Sequence, residues 1–99
     1  MSRTKYFDWD SKKNELLKQE RDISFEDIIV AIDDGHLLDI LIHHNPRRYP
    51  HQKIFVVAVS SYAYLVPFVE DEEKIFLKTI IPSRKATYTY IIKNKKRLL

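Results

Sequence analysis

Side chains that could bind and process RNA are concentrated after residue 43 of the sequence. The cationic and aromatic members of this set are Arg47, Arg48, Tyr49, Lys53, Tyr62, Tyr64, Lys74, Lys78, Arg84, Lys85, Tyr88 and Tyr90. Guanidinium and ammonium groups neutralise phosphates, and aromatic rings stack on unpaired bases. The set is compatible with an RNA-binding surface, although the same residue types also solubilise ordinary sheets and helices.

The charge of the chain is distributed unevenly. Its net charge is +3, from 17 basic and 14 acidic residues. Residues 1–45 contain six basic and ten acidic residues, whereas residues 46–99 contain eleven basic and four acidic ones. The second half therefore carries a net charge of +7, and a polyanion or an acidic partner is expected to meet that half.

Several other kinds of chemistry are excluded or disfavoured. The absence of cysteine excludes disulfides, thiolate metal sites and cysteine nucleophiles. A single glycine, Gly35, rules out the glycine-rich loops that hold nucleotide phosphates. The four histidines, His36, His43, His44 and His51, lack the spacing of metal ligands. We therefore expect neither a metal nor another cofactor.

The acidic run at residues 70–73 is typical of a charged hairpin tip. Within it, Glu70 follows a strand directly and could project onto the sheet surface. We therefore keep Glu70 as a candidate general base. Serine and histidine are also present, but no motif indicates a catalytic triad.

The first part of the chain predicts a short strand and two helices. Residues 6–9 are aromatic and favour a strand, and Asp10 and Ser11 supply capping oxygens for a helix to about residue 19. Leu16 and Leu17 are its expected anchors. The second helix begins after Ser24, with a capping-box carboxylate at position 27, and ends at residue 35. Its apolar positions follow helical spacing: Phe25, Ile28, Ile29 and Ile32.

The remainder predicts a sheet followed by a helix. From residue 37, Leu38, Ile40 and Ile42 alternate as in a strand, and residues 43–52 form a loop. Apolar runs at 54–59, 62–69 and 75–81, joined by short connections, predict an antiparallel meander. Pro67 cannot donate to a ladder, so a bulge or an open edge is expected there. A final helix is predicted over residues 83–95.

Side-chain alternation along residues 74–81 predicts two different sheet faces. One face would carry Lys74, Phe76, Lys78 and Ile80, and the other Ile75, Leu77, Thr79 and Ile81. One face is then apolar and the other is interrupted by cations. Lys78 would hold a fixed positive charge near the helix start, where Arg84 could bind a phosphate with two hydrogen bonds.

The predicted fold class is α+β, with an antiparallel β-sheet packed by N-terminal helices and a C-terminal helix. Ninety-nine residues suffice for one domain over 1–99. The longest apolar run is far shorter than the ~20 residues that span a bilayer, and the first residues show no apolar signal core. We therefore expect a cytoplasmic protein that does not bind membranes.

Two segments of the sequence carry a family resemblance. The opening FDWDSKKNELLKQERDISFEDI (7–28) and the later IFLKTIIPSRKAT (75–87) resemble the BrnT family of bacterial type II toxins. The resemblance covers residues 6–90. That family usually has a basic residue directly before the two isoleucines, whereas this chain has Thr79 there and Lys78 one position earlier. The assignment of an active-site residue transfers best to Arg84.

The resemblance implies a RelE-like ribonuclease fold that acts on RNA and is neutralised by a cognate antitoxin. The histidine spacing and the absence of cysteine predict that this endoribonuclease needs no metal ion. Such cleavage needs an activated 2′-hydroxyl, charge stabilisation on the phosphorane and a proton for the leaving 5′-oxygen. Arg84 would stabilise the charge, Lys78 and Lys53 would support it, and Glu70 would be the base. The expected RNA-binding residues are Arg47, Arg48, Tyr64, Lys85 and Tyr88, with Tyr64 and Tyr88 stacking on bases or donating a proton.

Two alternatives remain open from the sequence. A chain of the same fold could bind RNA without cleaving it, or its cations could bind an acidic protein partner. The assembly could be a homodimer or a toxin–antitoxin hetero-oligomer.

Overall fold

A computed structural model of the chain describes residues 4–42, 47–48 and 52–93. These residues form a mixed α+β fold, which confirms the predicted class. The strands are β1 (Tyr6–Asp8), β2 (Leu37–Ile42), β3 (Gln52–Val59), β4 (Tyr62–Glu70), β5 (Lys74–Leu77) and β6 (Ile81–Pro82). The helices are α1 (Ser11–Arg21), α2 (Phe25–Asp33) and α3 (Arg84–Ala86), and α3 continues as a π-helix over Thr87–Ile92. We call these last two segments together the C-terminal helix.

The sheet has the strand order β1-β5-β4-β3-β2, and β6 also pairs with β4. Strands β3, β4 and β5 form the predicted antiparallel meander, and β2 extends it by pairing antiparallel with β3. The sequence did not predict that β1 pairs with β5 in parallel. Pro67 lies opposite the gap between the β5 and β6 pairings, so the predicted interruption of the ladder is confirmed there.

Helices α1 and α2 begin with the caps that the sequence predicted. The Asp10 carboxylate accepts from the Lys12 N–H at 3.0 Å. Ser24 and Asp27 form a reciprocal capping box, with hydrogen bonds of 3.1 and 2.9 Å. Leu17 is buried as expected, but the prediction that Leu16 anchors α1 is wrong, because its side chain is 49% exposed.

Asn14 takes the second buried position on α1. Residues 14 and 17 are three apart and share the buried side of the helix. The Asn14 carbonyl oxygen accepts from the Phe25 N–H at 2.8 Å, and its amide nitrogen donates to Glu26 at 2.8 Å. Asn14 thereby satisfies a buried N–H in the first turn of α2 and fixes the two helices to each other.

Each face of the sheet packs against helices. The first face packs against α1 and α2, in a cluster that includes Leu17, Phe25, Ile28, Phe55, Val57, Val66, Phe68, Leu77 and Ile80. The second face packs against the C-terminal helix, in a smaller cluster around Val56, Ala63 and Ala86. No helix within the described residues is long and apolar enough to cross a membrane.

The predicted side-chain alternation along residues 74–81 fails after Leu77. Leu77 pairs with Phe68 and Ile81 pairs with Leu65, so four steps along one strand match three along the other. This extra residue reverses the alternation. Ile80 is therefore buried in the first cluster with Leu77, and Ile81 is exposed. The predicted continuous strand over 75–81 is instead β5 and β6.

The alternation predicted in β2 is also broken. The register shifts between Leu37 and Asp39. Leu38 consequently packs against the second cluster, as does Leu41. Ile40 and Ile42 lie on the other side of the strand and are 50% and 74% exposed.

The C-terminal helix follows Ser83 as predicted, and its predicted end at residue 95 lies outside the described residues. Most of the predicted loop at 43–52 also lies outside them. Arg47 and Arg48 form an exposed turn, and Gln52 belongs to β3 rather than to the loop.

Candidate nucleic-acid interface

The start of the C-terminal helix is held firmly against β4. The Ser83 N–H donates to the Ala63 carbonyl at 3.0 Å, and the Ser83 hydroxyl accepts from the Ala86 N–H at 3.0 Å. The Thr87 hydroxyl accepts from the Ala63 N–H at 2.8 Å and donates to the Ser83 carbonyl at 2.8 Å. These bonds fix the backbone on both sides of Arg84.

A contact farther along fixes the rotation of the same helix. The Tyr90 hydroxyl donates to the Asp39 carboxylate of β2 at 2.6 Å. This hydrogen bond and burial raise the pKa of Tyr90 above its ordinary value, so the phenol stays protonated at neutral pH. Ala86 and Thr87 are buried, and the exposed positions of the C-terminal helix include Arg84, Lys85, Tyr88 and Thr89.

Lys78 lies on the same face of the sheet as the C-terminal helix. Its N–H donates to the Pro67 carbonyl at 2.8 Å, which places it opposite Pro67 across the ladder. Leu65 and Ala63, at alternate positions of β4 from Pro67, belong to the second cluster, so Pro67 lies on that face too. Paired residues share a sheet face, so Lys78 lies there as well. Lys78 and Ser83 lie opposite β4 residues four apart, about 13 Å along the strand.

We call Lys78, Arg84, Lys85 and Tyr88 the basic patch. All four side chains are exposed. Within the part of the chain that the structure describes, no ion pair involves its three cations. Arg84 and Tyr88 are four residues apart on the solvent side of the helix. An exposed guanidinium and an exposed aromatic ring therefore stand about one helical turn apart, a spacing that suits a phosphate and a stacked base.

Lys53 and Glu70, predicted to act with Arg84, lie elsewhere. The Glu70 carboxylate accepts from Lys5 at 2.8 Å and from Lys53 at 3.0 Å. Two hydrogen bonds lower the pKa of Glu70 below its ordinary value of 4.5. The bond from Lys5 has the largest effect and the bond from Lys53 the next. A carboxylate so stabilised in its charged form is a weak proton acceptor at neutral pH.

Position along β4 separates this cluster from the basic patch. Ala63, which holds the helix start, is seven residues from Glu70, about 23 Å along a strand. The two groups also lie on opposite faces, because Phe68, two residues before Glu70, belongs to the first cluster. The structure therefore brings Arg84 and Lys78 to one surface and leaves Lys53 and Glu70 at another.

The other predicted RNA-binding residues are also dispersed. Tyr64 is half-buried against the first cluster and packs edge-to-face on Tyr62, with ring centroids 5.7 Å apart. Arg47 and Arg48 belong to the connection between β2 and β3, at the end of the sheet where Lys53 and Glu70 lie. Only Lys85 and Tyr88 of that predicted set lie beside Arg84.

Sequence reasoning missed two cations, one that contacts Glu70 and one that contacts the segment before Arg84. Arg21, at the end of α1, donates to the Ile80 carbonyl and thereby supports the segment between Lys78 and Arg84. Lys5 binds Glu70 from 65 positions away in sequence. No local pattern signals either contact, because both depend on the packing of distant segments.

Neither a groove nor a metal-binding cluster within the described residues adds a reactive group to the basic patch. A groove of about 280 Å³ lies between the C-terminal helix and the sheet, lined by Leu41, Val56, Leu65, Ser83, Lys85, Ala86, Thr89 and Tyr90. No group of three or more histidine and carboxylate side chains in the described ranges could hold a metal ion. Three of the four histidines lie outside those ranges.

Comparisons of this chain with protein families, with curated proteins and with solved structures find no match.

Proposed function

We propose that this chain is the toxin component of a type II toxin–antitoxin system, with a RelE-like fold, and that it cleaves RNA without a metal ion. In this proposal the RNA lies across the basic patch. The observation that carries it is the arrangement of Arg84, Lys78 and Lys85, which are exposed and have no acidic partner among the described residues. The BrnT-like segments in the sequence supply the choice of toxin and of cleavage.

The patch residues suit the charge requirements of the reaction. The 2′-oxygen attacks phosphorus and gives its proton to water, the bond to the 5′-oxygen breaks, and that oxygen takes a proton from water. Negative charge builds on the phosphorane between these steps, and Arg84 would stabilise it with Lys78 in support. Lys85 would bind a neighbouring phosphate, and Tyr88 would stack on a base.

One observation favours a second function for the same surface. Glu70, the predicted base, lies on the other face and is neutralised by two lysines. The patch itself contains cations and an aromatic ring but no carboxylate. An RNA-binding module that does not cleave would need no more than this, so binding and cleavage must be measured separately.

The test uses purified protein and a fluorescently labelled single-stranded RNA in the presence of EDTA. We expect cleavage in wild type and a loss of about 10²–10³ in rate in Arg84→Ala, the typical cost of removing one charge-stabilising donor. In Arg84→Ala the affinity for RNA should fall less steeply with salt concentration, by the slope that about one phosphate contact contributes. Lys12→Ala, an exposed cation on α1, is the matched control.

The outcomes separate the two functions. Binding that depends on Arg84, without cleavage under any condition, would support the non-catalytic module. Equal cleavage and binding by Arg84→Ala and Lys12→Ala would refute both. Activity that EDTA abolishes and added metal restores would refute the metal-free mechanism.

The proposed protein partner is an antitoxin that covers the basic patch with acidic and apolar groups. Charge complementarity of this kind accelerates association, so the association rate should fall as salt rises. Co-expression with the product of the adjacent gene tests this partner. Growth arrest by this chain alone, relieved by the neighbour, is the expected result, and unaffected growth with no copurifying neighbour would contradict it.

A further inference from the structure

Strand β2 forms an edge of the sheet whose backbone is open on one side. Within the described residues its only strand neighbour is β3. The Ala58 N–H donates to the His36 carbonyl, so even-numbered residues of β3 direct their backbone groups towards β2. Asp39 and Leu41 pair with two of these residues, which leaves the N–H and C=O groups of Ile40 and Ile42 pointing outward.

A local contact confirms this direction. The Ile40 N–H donates to the Asp39 carboxylate at 2.8 Å, in an exposed position. The same carboxylate accepts from Tyr90 through its other oxygen. The open edge therefore has at least one backbone donor that a side chain, rather than a strand, satisfies.

The side chains along this edge do not deter pairing. Natural sheets protect long edges with lysine, proline or short length. The opposite edge, β1, is only three residues long, and Asp8 on it bonds Lys74 at 3.5 Å. By contrast, β2 has six residues and exposes Ile40 and Ile42 by 50% and 74%.

We infer that two copies of this chain pair through β2, antiparallel and about a twofold axis at Leu41. In this register Ile40 of one copy lies opposite Ile42 of the second copy, and the reverse. An even-numbered residue of one copy can pair only with an even-numbered residue of the second copy, and an odd-numbered one only with an odd-numbered one, because side chains opposite each other must share a face. Centring on Leu41 brings all four exposed isoleucines together on one face.

The backbone directions fit this register. Ile40 and Ile42 would each exchange two hydrogen bonds with their counterparts, and the carbonyl of the second copy's Ile42 would replace the Asp39 carboxylate as the acceptor for Ile40. The two Leu41 residues would form a non-hydrogen-bonded pair, with Cα atoms about 4.5 Å apart.

Charge and area argue for a second copy and for a weak dimer. The three central residues are uncharged, so identical strands meet without opposing like charges. Identical edges are also self-complementary, as a twofold interface requires. Pairing three residues from each copy buries less than the roughly 1,200 Å² of a standard stable interface. The dimer should therefore form reversibly and depend on concentration.

Disulfide trapping tests the register. The chain has no cysteine of its own, and a separation of about 4.5 Å between Cα atoms lies within disulfide range. Under mild oxidation Leu41→Cys should cross-link at least roughly tenfold faster than Gln19→Cys, an exposed position on α1, because pairing raises the effective concentration. Adding Ile42→Lys to Leu41→Cys should remove that advantage.

Sedimentation velocity over a range of concentrations tests the association in the absence of cysteine. Wild type and Val30→Lys, which changes an exposed apolar residue on α2, should shift towards dimer together, whereas Ile42→Lys should stay monomeric. Circular dichroism verifies that each variant is folded. A monomer at every concentration, a dimer that persists in Ile42→Lys, or equal cross-linking at positions 41 and 19 would each overturn the inference.

Discussion

Replacing Glu70 by glutamine separates a catalytic role for this carboxylate from a structural one. In the structure Glu70 joins Lys5, which precedes β1, to Lys53 on β3. It thus connects the edge of the sheet to its centre on one face. Glutamine keeps the shape of the side chain and one acceptor oxygen but removes the charge.

The expected loss of stability follows from the exposure of the three side chains. Glu70 and Lys5 are 27% and 32% exposed and Lys53 is 46% exposed, so solvent screens both pairs in part. Partly exposed ion pairs contribute about 0.2–1 kcal/mol each. With one acceptor retained, we expect Glu70→Gln to lose about 1 kcal/mol, which lowers Tm by roughly 4–8 °C in a domain of this size.

The pH dependence of this loss has a definite sign. The pKa of Glu70 is lowered in the folded state, so its contribution is complete above the ordinary value of 4.5 and disappears as the pH falls through the folded-state pKa. Thermal unfolding followed by circular dichroism should show the full difference at pH 7. Wild type and Glu70→Gln should converge at acidic pH, when the wild-type carboxyl is protonated.

Two results would refute this reasoning. Equal stability at pH 7 would mean that the two ion pairs contribute nothing. RNA cleavage that falls by orders of magnitude in Glu70→Gln, while the protein remains folded, would place Glu70 in the active site despite its distance from the basic patch. Glu72→Gln, an exposed acid in the turn after β4, is the matched control and should change neither stability nor cleavage.

Two further predictions concern stability, and thermal unfolding measures both. Ser60 and Ser61, in the turn between β3 and β4, both adopt positive φ, 51° and 64°. Ser61→Gly should stabilise the protein by about 0.5–1 kcal/mol, because glycine removes the steric penalty of the Cβ atom at some entropic cost. An unchanged or lower Tm would contradict a strained turn. Asn14→Ala should destabilise the protein by about 1–3 kcal/mol, because the buried Phe25 N–H loses its acceptor. Gln19→Ala, on the exposed side of α1, should change Tm little. Equal effects of the two substitutions would show that the Asn14 bridge is unimportant.

The parts of the fold that depend on neighbouring residues could be predicted from the sequence. The capping box at Ser24 and Asp27 needs only a three-residue spacing, and the meander needs only apolar runs joined by short turns. Ser83 likewise signals the start of the C-terminal helix. These features are determined within a few residues, so pattern and propensity suffice.

Features that depend on pairing between distant segments could not be predicted. The extra residue between Leu77 and Ile81 becomes visible only when β4 supplies the count on the opposite strand. This single residue moves Ile80 into the core. The same limitation applies to the site, because the sequence identified Arg84, Lys53 and Glu70 as candidates but could not show that strand pairing places Arg84 on the opposite face from Lys53 and Glu70.

The arrangement of acids and bases leaves the cations of the basic patch without an acidic partner among the described residues. The cations at the sheet are partly compensated, since Lys5 and Lys53 bind Glu70 and Lys74 bonds Asp8. The exposed acids of α2, among them Glu26 and Asp27, lie on the opposite face from the basic patch.

Distance then prevents those acids from cancelling the field of the patch. Each helix layer packs about 10 Å from the sheet, so the two layers are roughly 20 Å apart, whereas the Debye length at physiological ionic strength is about 8 Å. Within the described residues, the cations of the basic patch therefore present a positive surface that the acids of α2 do not compensate. If the proposed function holds, RNA should approach from the side of the C-terminal helix, where Arg84 lies.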